Sequence, residues 1–338
     1  MARDCVVGAC FFVAPCHILR HDRGMTTTPL PLDAHSASLL LQTAALAQGI
    51  PADQLTPDKR RALMRQATPM LLNASAPRLG SESQRIPLLG RSLPARLYQA
   101  AADAPHAEVL CVFFHGGGWV AGDLYTHDHA CQFLAQHVGC TLLSVQYRKS
   151  PEHRFPAPCD DAADAYAWAY AQRGQWGCTR VLLCGDSAGG HLAAHAMHTH
   201  PALPVAAAWL IYPVADMQFG NTSYTERGSG PGLMKAGMVW FWEQFLGSME
   251  PMQDPRAVLM RQVWLGKPPP TVVSVAWHDP LHDEGVDYAA LLEKAGGQVT
   301  LLTAPDMAHG YLRQCWVNDS ARAHLLAAIA SVRELLRS

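Results

Sequence analysis

A serine lies between glycines in the segment VLLCGDSAGGHLAA, which covers residues 181–194. Residues 185–189 read Gly-Asp-Ser-Ala-Gly and match the pattern G-x-S-x-G, after an apolar run and before an alanine-rich one. A sharp turn from a strand into a helix needs small residues around a serine held in a strained backbone conformation. The spacing therefore predicts a nucleophile elbow, in which the hydroxyl of Ser187 attacks an acyl carbon.

Two downstream loops supply residues that would activate this serine. In the nucleophile-elbow architecture, an acid and then a histidine follow the serine, each after a later strand. Asp279 follows the apolar run TVVSVAW, and His309 follows the segment VTLLTAPDMA. A serine hydroxyl is a weak nucleophile until a base takes its proton. The order predicts that His309 is this base and that Asp279 orients it.

Neighbouring acids and histidines compete for these two roles. Asp283 and Glu284 follow Asp279 closely, but they are typical first-turn acids of the next helix. There, their negative charges interact favourably with the positive end of the helix dipole. The sequence has seventeen histidines, and His324 falls within the last predicted helix. His309 precedes a glycine in a loop after a strand, so it is the best placed.

Three consecutive glycines follow another apolar run, in the segment CVFFHGGGWVAGD at residues 111–123. Acyl transfer through Ser187 builds negative charge on the carbonyl oxygen, and this charge needs N–H donors aimed at it in advance. Glycines let backbone N–H groups approach the oxygen without side chains in the way. We predict an oxyanion hole formed by the N–H groups of Gly116, Gly117, Gly118 and Ala188.

The same loop matches part of a nucleotide-binding pattern, and two histidine segments contain metal-ligand residue types. Residues 116–121 fit G-x-G-x-x-A after a strand, but the acid expected about twenty positions later is missing from QHVGCTL at 136–142.

HDH at 127–129 and HDPLHDE at 278–284 lack a zinc spacing such as H-E-x-x-H. We therefore expect neither a cofactor nor a metal.

The elements around these motifs alternate between strand and helix. Continuous apolar runs are typical of strands buried on both faces of a parallel sheet. Strands are predicted at residues 94–99, 108–114, 141–147, 181–185, 206–212, 271–277 and 298–303. Helices are predicted at 33–48, 57–71, 125–138, 160–173, 187–198, 285–296 and 319–337. This alternation predicts an α/β fold with a mostly parallel sheet.

The connection at residues 213–270 is too long for a passive loop and contains the aromatic-rich segment GLMKAGMVWFWEQFLG. An insertion of this length in a compact α/β domain indicates a lid or cap. Met238, Phe241, Trp242 and Phe245 have helical spacing within it, which is typical of a buried helix face. Part of this face is also a candidate lining for an acyl pocket.

The overall composition is that of an ordinary globular protein. The 338 residues are 49% hydrophobic and carry a formal net charge of −2, and no cluster of basic residues indicates a nucleic-acid partner. The ten cysteines show no C-x-x-C spacing, and a disulfide framework is not expected in a chain of this size. A reducing, cytoplasmic location is therefore expected.

The first 24 residues do not match the rest of the chain. Their apolar stretch, Cys5 to Cys16, is too short to cross a bilayer, and the pattern of a cleaved secretion signal is incomplete. We expect an N-terminal extension at 1–24, with translation beginning at Met25, and a secretion signal is the alternative.

With these motifs placed, the chain resembles the hormone-sensitive-lipase-like branch of α/β-hydrolase esterases, which includes the arylacetamide-deacetylase-like enzymes. The resemblance runs from about residue 85 to the C-terminus and is carried by HGGGW, YRKSPEHRFPAPCDDA, GDSAGG, DPRA, DPLHDEG and HGY. It implies an α/β-hydrolase domain at 81–338. N-terminal helices within 25–80 and the insertion at 213–262 would form a helical cap over that domain.

The resemblance also implies a function. It indicates a triad of Ser187, His309 and Asp279 that hydrolyses carboxylic esters with short to medium acyl chains. The expected substrate-binding residues are Trp119, Asp186, Phe241 and Trp242. The expected partner is a small-molecule ester, without stable membrane insertion, and a homodimer is left open.

Two other functions fit the same resemblance. The family includes hormone-binding receptors, but the intact triad favours catalysis over silent binding. Amide or lactone cleavage and dehydration stay open, because one triad and one oxyanion hole serve each leaving group.

Overall fold

One nine-stranded sheet organises the residues that the computed structural model describes, which are 19–20, 29–230, 232–248 and 250–337. In chain order, its strands are β1 (Leu19–Arg20), β2 (Ser81–Leu88), β3 (Arg91–Tyr98), β4 (Val109–Phe114), β5 (Thr141–Val145), β6 (Arg180–Asp186), β7 (Ala207–Ile211), β8 (Thr271–His278) and β9 (Val299–Ala308). Their order across the sheet is β1-β9-β8-β7-β6-β4-β5-β3-β2.

Nine α-helices connect or cover these strands in the described part of the chain. They are α1 (Ala34–Ala45), α2 (Pro57–Ala67), α3 (Asp128–Val138), α4 (Ala157–Gln172), α5 (Ala188–Thr199), α6 (Thr222–Arg227), α7 (Lys235–Leu246), α8 (His282–Lys294) and α9 (Asp319–Leu335). Short 3₁₀ turns lie at Ala52–Gln54, Thr68–Leu71, Arg173–Trp176, Glu250–Gln253, Leu259–Arg261 and Tyr311–Gln314. Across the described residues, no helix has the length and apolar character needed to cross a membrane.

The predicted α/β fold with a mostly parallel sheet is confirmed. Strands β4 to β9 pair in parallel with one another. The antiparallel pairs are β1 with β9, β2 with β3, and β3 with β5. Every residue of β4, β5 and β7 is buried, as continuous apolar runs predict for central strands. The carboxyl ends of parallel strands meet at one edge of a sheet, where ligand sites form.

Helices cover both faces of this sheet. Leu110, Val112 and Phe114 of β4 belong to one hydrophobic cluster, and the alternate residues Val109 and Phe113 belong to another. Successive side chains of a strand point to opposite faces, so the two clusters are the cores of the two faces. Helices α4, α5, α7 and α8 contribute to the first core, and α3 and α9 to the second.

The strand β2 is a feature that the apolar pattern did not predict. It forms a hairpin with β3 through the two-residue turn at Leu89 and Gly90, and it lies at the edge of the sheet. Only Ile86 of this strand is buried, so the sequence shows no apolar run there. At the other edge, β1 pairs with β9; the rest of the expected extension at 1–24 lies outside the described residues.

Candidate active site

Ser187 occupies the sharp corner between β6 and α5. Its backbone has φ +56° and ψ −122°, and its N–H donates to Ile211 O at 2.8 Å. A Cβ atom on Gly185 would overlap the backbone of Gly189, and one on Gly189 would overlap the backbone of Phe114. Both positions therefore require glycine, and the turn holds the serine at the carboxyl edge of the sheet.

A hydrogen-bonded chain joins Ser187, His309 and Asp279. His309 Nε2 lies 2.9 Å from Ser187 Oγ, and His309 Nδ1 lies 2.7 Å from Asp279 Oδ2. A carboxylate accepts from Nδ1–H, so Nε2 is left to accept the serine proton. The other oxygen of Asp279 accepts from the N–H of Leu281 at 2.9 Å, and the side chain is fully buried. The acid is thereby held in one orientation behind the imidazole.

Each of these three residues follows a different parallel strand. Ser187 follows β6, Asp279 follows β8 and His309 follows β9. Asp283 and Glu284, the competing acids, lie in the first turn of α8, as the sequence predicted. His324 lies within α9 and donates through Nε2 to Asp306 at 2.6 Å.

The three-glycine loop passes beside Ser187 in a conformation that favours glycine. Gly117 and Gly118 have φ of +120° and +60°. Their N–H groups form no hydrogen bond to any described residue, and Ala188, as the first residue of α5, has an N–H without an intrahelical partner. These three groups are free to bind an oxyanion.

Gly116 differs from this prediction, because its N–H is already used. It donates to Asp186 Oδ1 at 2.7 Å, so it is not free to bind substrate. Burial acts to raise the pKa of Asp186, but His127 and this N–H outweigh it, and the pKa lies below its ordinary value. The ionised carboxylate of Asp186 therefore anchors the glycine loop to the nucleophile turn, although it also borders the cavity described below.

Buried aromatic and imidazole rings support the loop from behind. Tyr147 donates its hydroxyl proton to His115 O at 2.7 Å, and the two rings stack with centroids 4.4 Å apart. His115 Nδ1 donates to Gly116 O at 2.9 Å. Burial lowers the pKa of His115 to about 3, so the ring is neutral and acts as a fixed donor.

A cavity of about 340 Å³ opens above Ser187 and His309. Helices α1, α2 and α7, called the cap helices here, provide much of its wall. The apolar lining is formed by Leu39, Leu40, Leu55, Leu63, Met64, Leu71, Leu233, Met238 and Phe241. Sequence reasoning named only the last two of these. The apolar faces of the predicted helices 33–48 and 57–71 were the signal for Leu39, Leu40, Leu63, Met64 and Leu71, whereas Leu55 and Leu233 lie outside both helices.

Phe241 lines the cavity, but Trp119 and Trp242 do not lie among its lining residues. Both tryptophans are buried, and Trp119 stacks on Phe245 with centroids 4.2 Å apart. Its indole N–H donates to His191 Nδ1 at 3.3 Å. The two tryptophans, expected to bind substrate, are placed instead in the core that joins the glycine loop to α7.

The histidine segments considered as metal sites are engaged in other contacts. His129 Nε2 donates to Arg313 O at 2.8 Å, and His278 Nε2 donates to Leu30 O at 2.8 Å. His282 Nδ1 lies 2.9 Å from Asp283 Oδ1. Within the described residues, no three ligand-type side chains gather in a way that would hold a metal ion.

The sheet, the nucleophile turn and the glycine loop together define an α/β hydrolase. A family model described as the alpha/beta hydrolase fold matches residues 111–313. Ethyl acetate hydrolase of Pseudomonas putida is 34% identical over 258 residues, which are 73% of this chain and 80% of the relative. The carboxylic ester hydrolase LipN of Mycobacterium tuberculosis is 35% identical over 261 residues, 73% of this chain and 68% of the relative. The chain belongs to the α/β-hydrolase family, in its hormone-sensitive-lipase-like branch.

A solved structure extends the similarity to the fold as a whole. The hyperthermophilic esterase from the archaeon Pyrobaculum calidifontis superposes with a TM-score of 0.82 at 29% identity. The match covers 91% of this chain and 100% of that one. The likeness therefore reaches well beyond residues 111–313.

Proposed function

We propose that this chain hydrolyses carboxylic esters with Ser187 as the nucleophile. The observation that carries the proposal is the continuous contact from Asp279 through His309 to Ser187, at the base of a mainly apolar cavity. The esterases among its relatives support the same reaction.

In the first half of the reaction, His309 Nε2 takes the proton of Ser187 while Oγ attacks the ester carbonyl carbon. The carbonyl oxygen becomes negative and accepts from the N–H groups of Gly117, Gly118 and Ala188. His309 then gives its proton to the alkoxy oxygen, the C–O bond breaks, and an alcohol leaves the acyl-enzyme.

In the second half, water replaces the alcohol. His309 takes a proton from water, the hydroxide oxygen attacks the acyl carbon, and Ser187 recovers its proton as the carboxylic acid leaves. Asp279 keeps Nδ1 protonated throughout and stabilises the imidazolium by its negative charge. The proton transfer between Ser187 and His309 and the orienting role of Asp279 use contacts that the structure contains.

Removing the nucleophile tests the proposal directly. We expect Ser187→Ala to lower kcat on p-nitrophenyl butyrate by about 10⁴-fold or more, because triad residues act as a unit. Ser92→Ala, at an exposed position of β3, is the control and should retain full activity. A diethyl phosphoryl label on the wild type, mapped to Ser187 by mass spectrometry, would support the assignment. Equal rates for wild type and Ser187→Ala would reject it.

The cavity supports a preference for short to medium acyl chains. Its lining is largely leucine, methionine and phenylalanine, and its volume is about 340 Å³. We expect kcat/KM on p-nitrophenyl esters to rise from acetate through the shorter chains and to fall once the chain exceeds the cavity. A steady rise up to hexadecanoate would contradict this expectation.

A further inference from the structure

Two arginines line the cavity that contains Ser187 and His309. Arg313 follows His309 by one turn, in the 3₁₀ segment Tyr311–Gln314. Arg60 lies on α2, with its guanidinium over the Trp240 ring at 4.2 Å. Neither is required by the ester chemistry proposed above.

The side chain of Arg313 forms hydrogen bonds only to neutral protein groups. Its Nε donates to Thr126 O at 3.4 Å, and one Nη donates to Met64 O at 3.4 Å and to Thr68 Oγ1 at 3.1 Å. Its remaining Nη makes no hydrogen bond to any described residue, and no described carboxylate lies within ion-pair distance. A guanidinium has five N–H donors, and three of them are used here, so the two on the remaining Nη stay available to a ligand.

A guanidinium in this setting is costly without a counter-charge. Burial lowers the pKa of Arg313, yet arginine keeps its proton in proteins. A charge taken out of water is stabilised mainly by an opposite charge. Arginines at such places commonly bind carboxylates through two parallel N–H···O bonds.

Asp186 and Asp123 attract the Arg313 guanidinium and offset part of the effect of burial on its pKa, but neither forms an ion pair with it, and Asp123 pairs with Arg65 at 2.6 Å. Asp186 is the only aspartate or glutamate among the described lining residues. Its Oδ1 accepts from Gly116 N and lies 3.5 Å from His127 Nε2, on the side of the glycine loop. The cavity therefore presents positive charge next to the reacting groups.

We propose that the substrate is an ester carrying a carboxylate elsewhere in the molecule, and that Arg313 binds this carboxylate. Arg60 also lines the cavity, but its charge interacts with Asp53, so the carboxylate is assigned to Arg313 alone. The inference rests on the proposed ester hydrolysis, and it assigns to Arg313 a specificity role that the triad and glycine loop do not need.

Matched ester pairs test the preference in the wild-type protein. Monoethyl glutarate and ethyl pentanoate differ by a carboxylate in place of a methyl group on the acyl side. Monoethyl adipate and ethyl hexanoate extend that pair by one methylene, and 4-acetoxybutanoate and butyl acetate place the difference on the alcohol side. We expect at least a tenfold higher kcat/KM for the charged ester in one or more pairs. An apolar cavity without a usable cation would instead reject carboxylates, so preference for the neutral ester in every pair overturns the proposal.

Substitutions of Arg313 distinguish binding of the substrate carboxylate from a purely structural role in holding α2. Arg313→Met should lower kcat/KM of the charged ester much more than kcat/KM of its neutral partner, so that the preference for the charged ester is lost. Arg85→Met, at an exposed position of β2, removes the same charge outside the cavity and should change neither. If Arg313 only fastens Met64 and Thr68 of the cap, the methionine variant loses activity on both esters equally, and the proposal fails.

If the Arg313→Met protein does not fold, Arg313→Lys tests whether Arg313 binds the carboxylate. It keeps the charge but not the fork of N–H groups, so KM of the charged ester should rise more than KM of the neutral ester. An unchanged KM for both overturns the role of Arg313. A wild type that hydrolyses neutral esters without charge preference contradicts this inference alone, whereas one that hydrolyses neither these esters nor p-nitrophenyl butyrate overturns the proposed function as well.

Discussion

At the scale of single residues, the site depends on positions where sequence and geometry leave little choice. Ser187, Asp279 and His309 could be predicted because each directly follows an apolar strand in the order that a parallel sheet brings together. The role of Gly116 could not, because it depends on a contact with Asp186, 70 positions along the chain. No local pattern states which glycine N–H is free and which is already bonded.

Asp279→Asn tests the acid at this scale. The amide retains the size of the side chain but presents a donor or a neutral acceptor to His309 Nδ1, which favours the wrong tautomer. We expect kcat to fall by about 10³- to 10⁴-fold, with KM little changed. Steady-state kinetics on p-nitrophenyl butyrate measures this, with thermal unfolding as the check on folding. A loss below tenfold would show that another acid orients His309.

Gly118→Ala tests the glycine loop. A Cβ atom there would overlap the ring of Phe241, and the φ of +60° is unfavourable for alanine. We expect a fall of tenfold or more in kcat, since the loop must shift its N–H groups, and a stability loss of about 1–2 kcal/mol.

Two further variants test whether the effect of Gly118→Ala comes from overlap with the Phe241 ring. Gly80→Ala, where no atom lies within 4 Å of the new Cβ, should be close to wild type. Adding Phe241→Ala to Gly118→Ala should recover part of the activity by removing the ring. Full activity of Gly118→Ala alone would contradict the placement of this loop against α7.

At the scale of elements, the central strands and the long helices were predictable from apolar periodicity, and the polar edge strand was not. β6 contains the apolar run Val181 to Cys184, which is fully buried, so its position follows from residue types alone. β2 is stabilised by backbone pairing with β3 and exposes most of its side chains. Such a strand depends on its neighbour rather than on its own composition.

Helix α2 is joined to the catalytic side by an ion pair whose strength depends on pH. Arg61 donates to Glu152 at 2.6 and 2.8 Å, and this hydrogen bond lowers the pKa of Glu152 to about 2. A carboxylate with a depressed pKa in the folded state stabilises the fold above its unfolded pKa of about 4.3 and loses this contribution as the pH falls toward 2. Because the pair is partly exposed, it contributes about 1 kcal/mol or less.

Glu152→Gln should therefore lower Tm by a few degrees at most at pH 7. The difference from wild type should shrink as the pH is lowered from 5 to 3. Differential scanning calorimetry across this range measures it. Glu82→Gln, at an exposed position of β2, should show no such trend, and a Tm difference that stays constant with pH would contradict the proposed pairing energy.

At the scale of the whole molecule, the two cores bury every cysteine that the structure describes. These are Cys111, Cys131, Cys140, Cys159, Cys178, Cys184 and Cys315, and none is in a disulfide. Burial raises the pKa of thiols such as Cys131 and Cys315, so little reactive thiolate forms in the folded protein.

Thiol titration therefore reports on the integrity of both cores. Of the ten cysteines in the sequence, we expect no more than three to react within minutes with a chromogenic disulfide reagent at pH 8. All ten should react in concentrated guanidinium chloride. Reaction of four or more before any loss of circular dichroism signal would contradict the burial of the seven.

The three cap helices above the cavity differ in how firmly they pack against the rest of the protein. Phe245 and Trp242 pack α7 into the first core, whereas α1 and α2 contribute no residue to either core. Helix α2 is held by polar contacts of Arg61 with Ser150 O and of Arg65 with Asp123. Segments with few buried apolar contacts open first. Small molecules should therefore enter and leave the cavity by displacement of α1 and α2, while α7 stays in place.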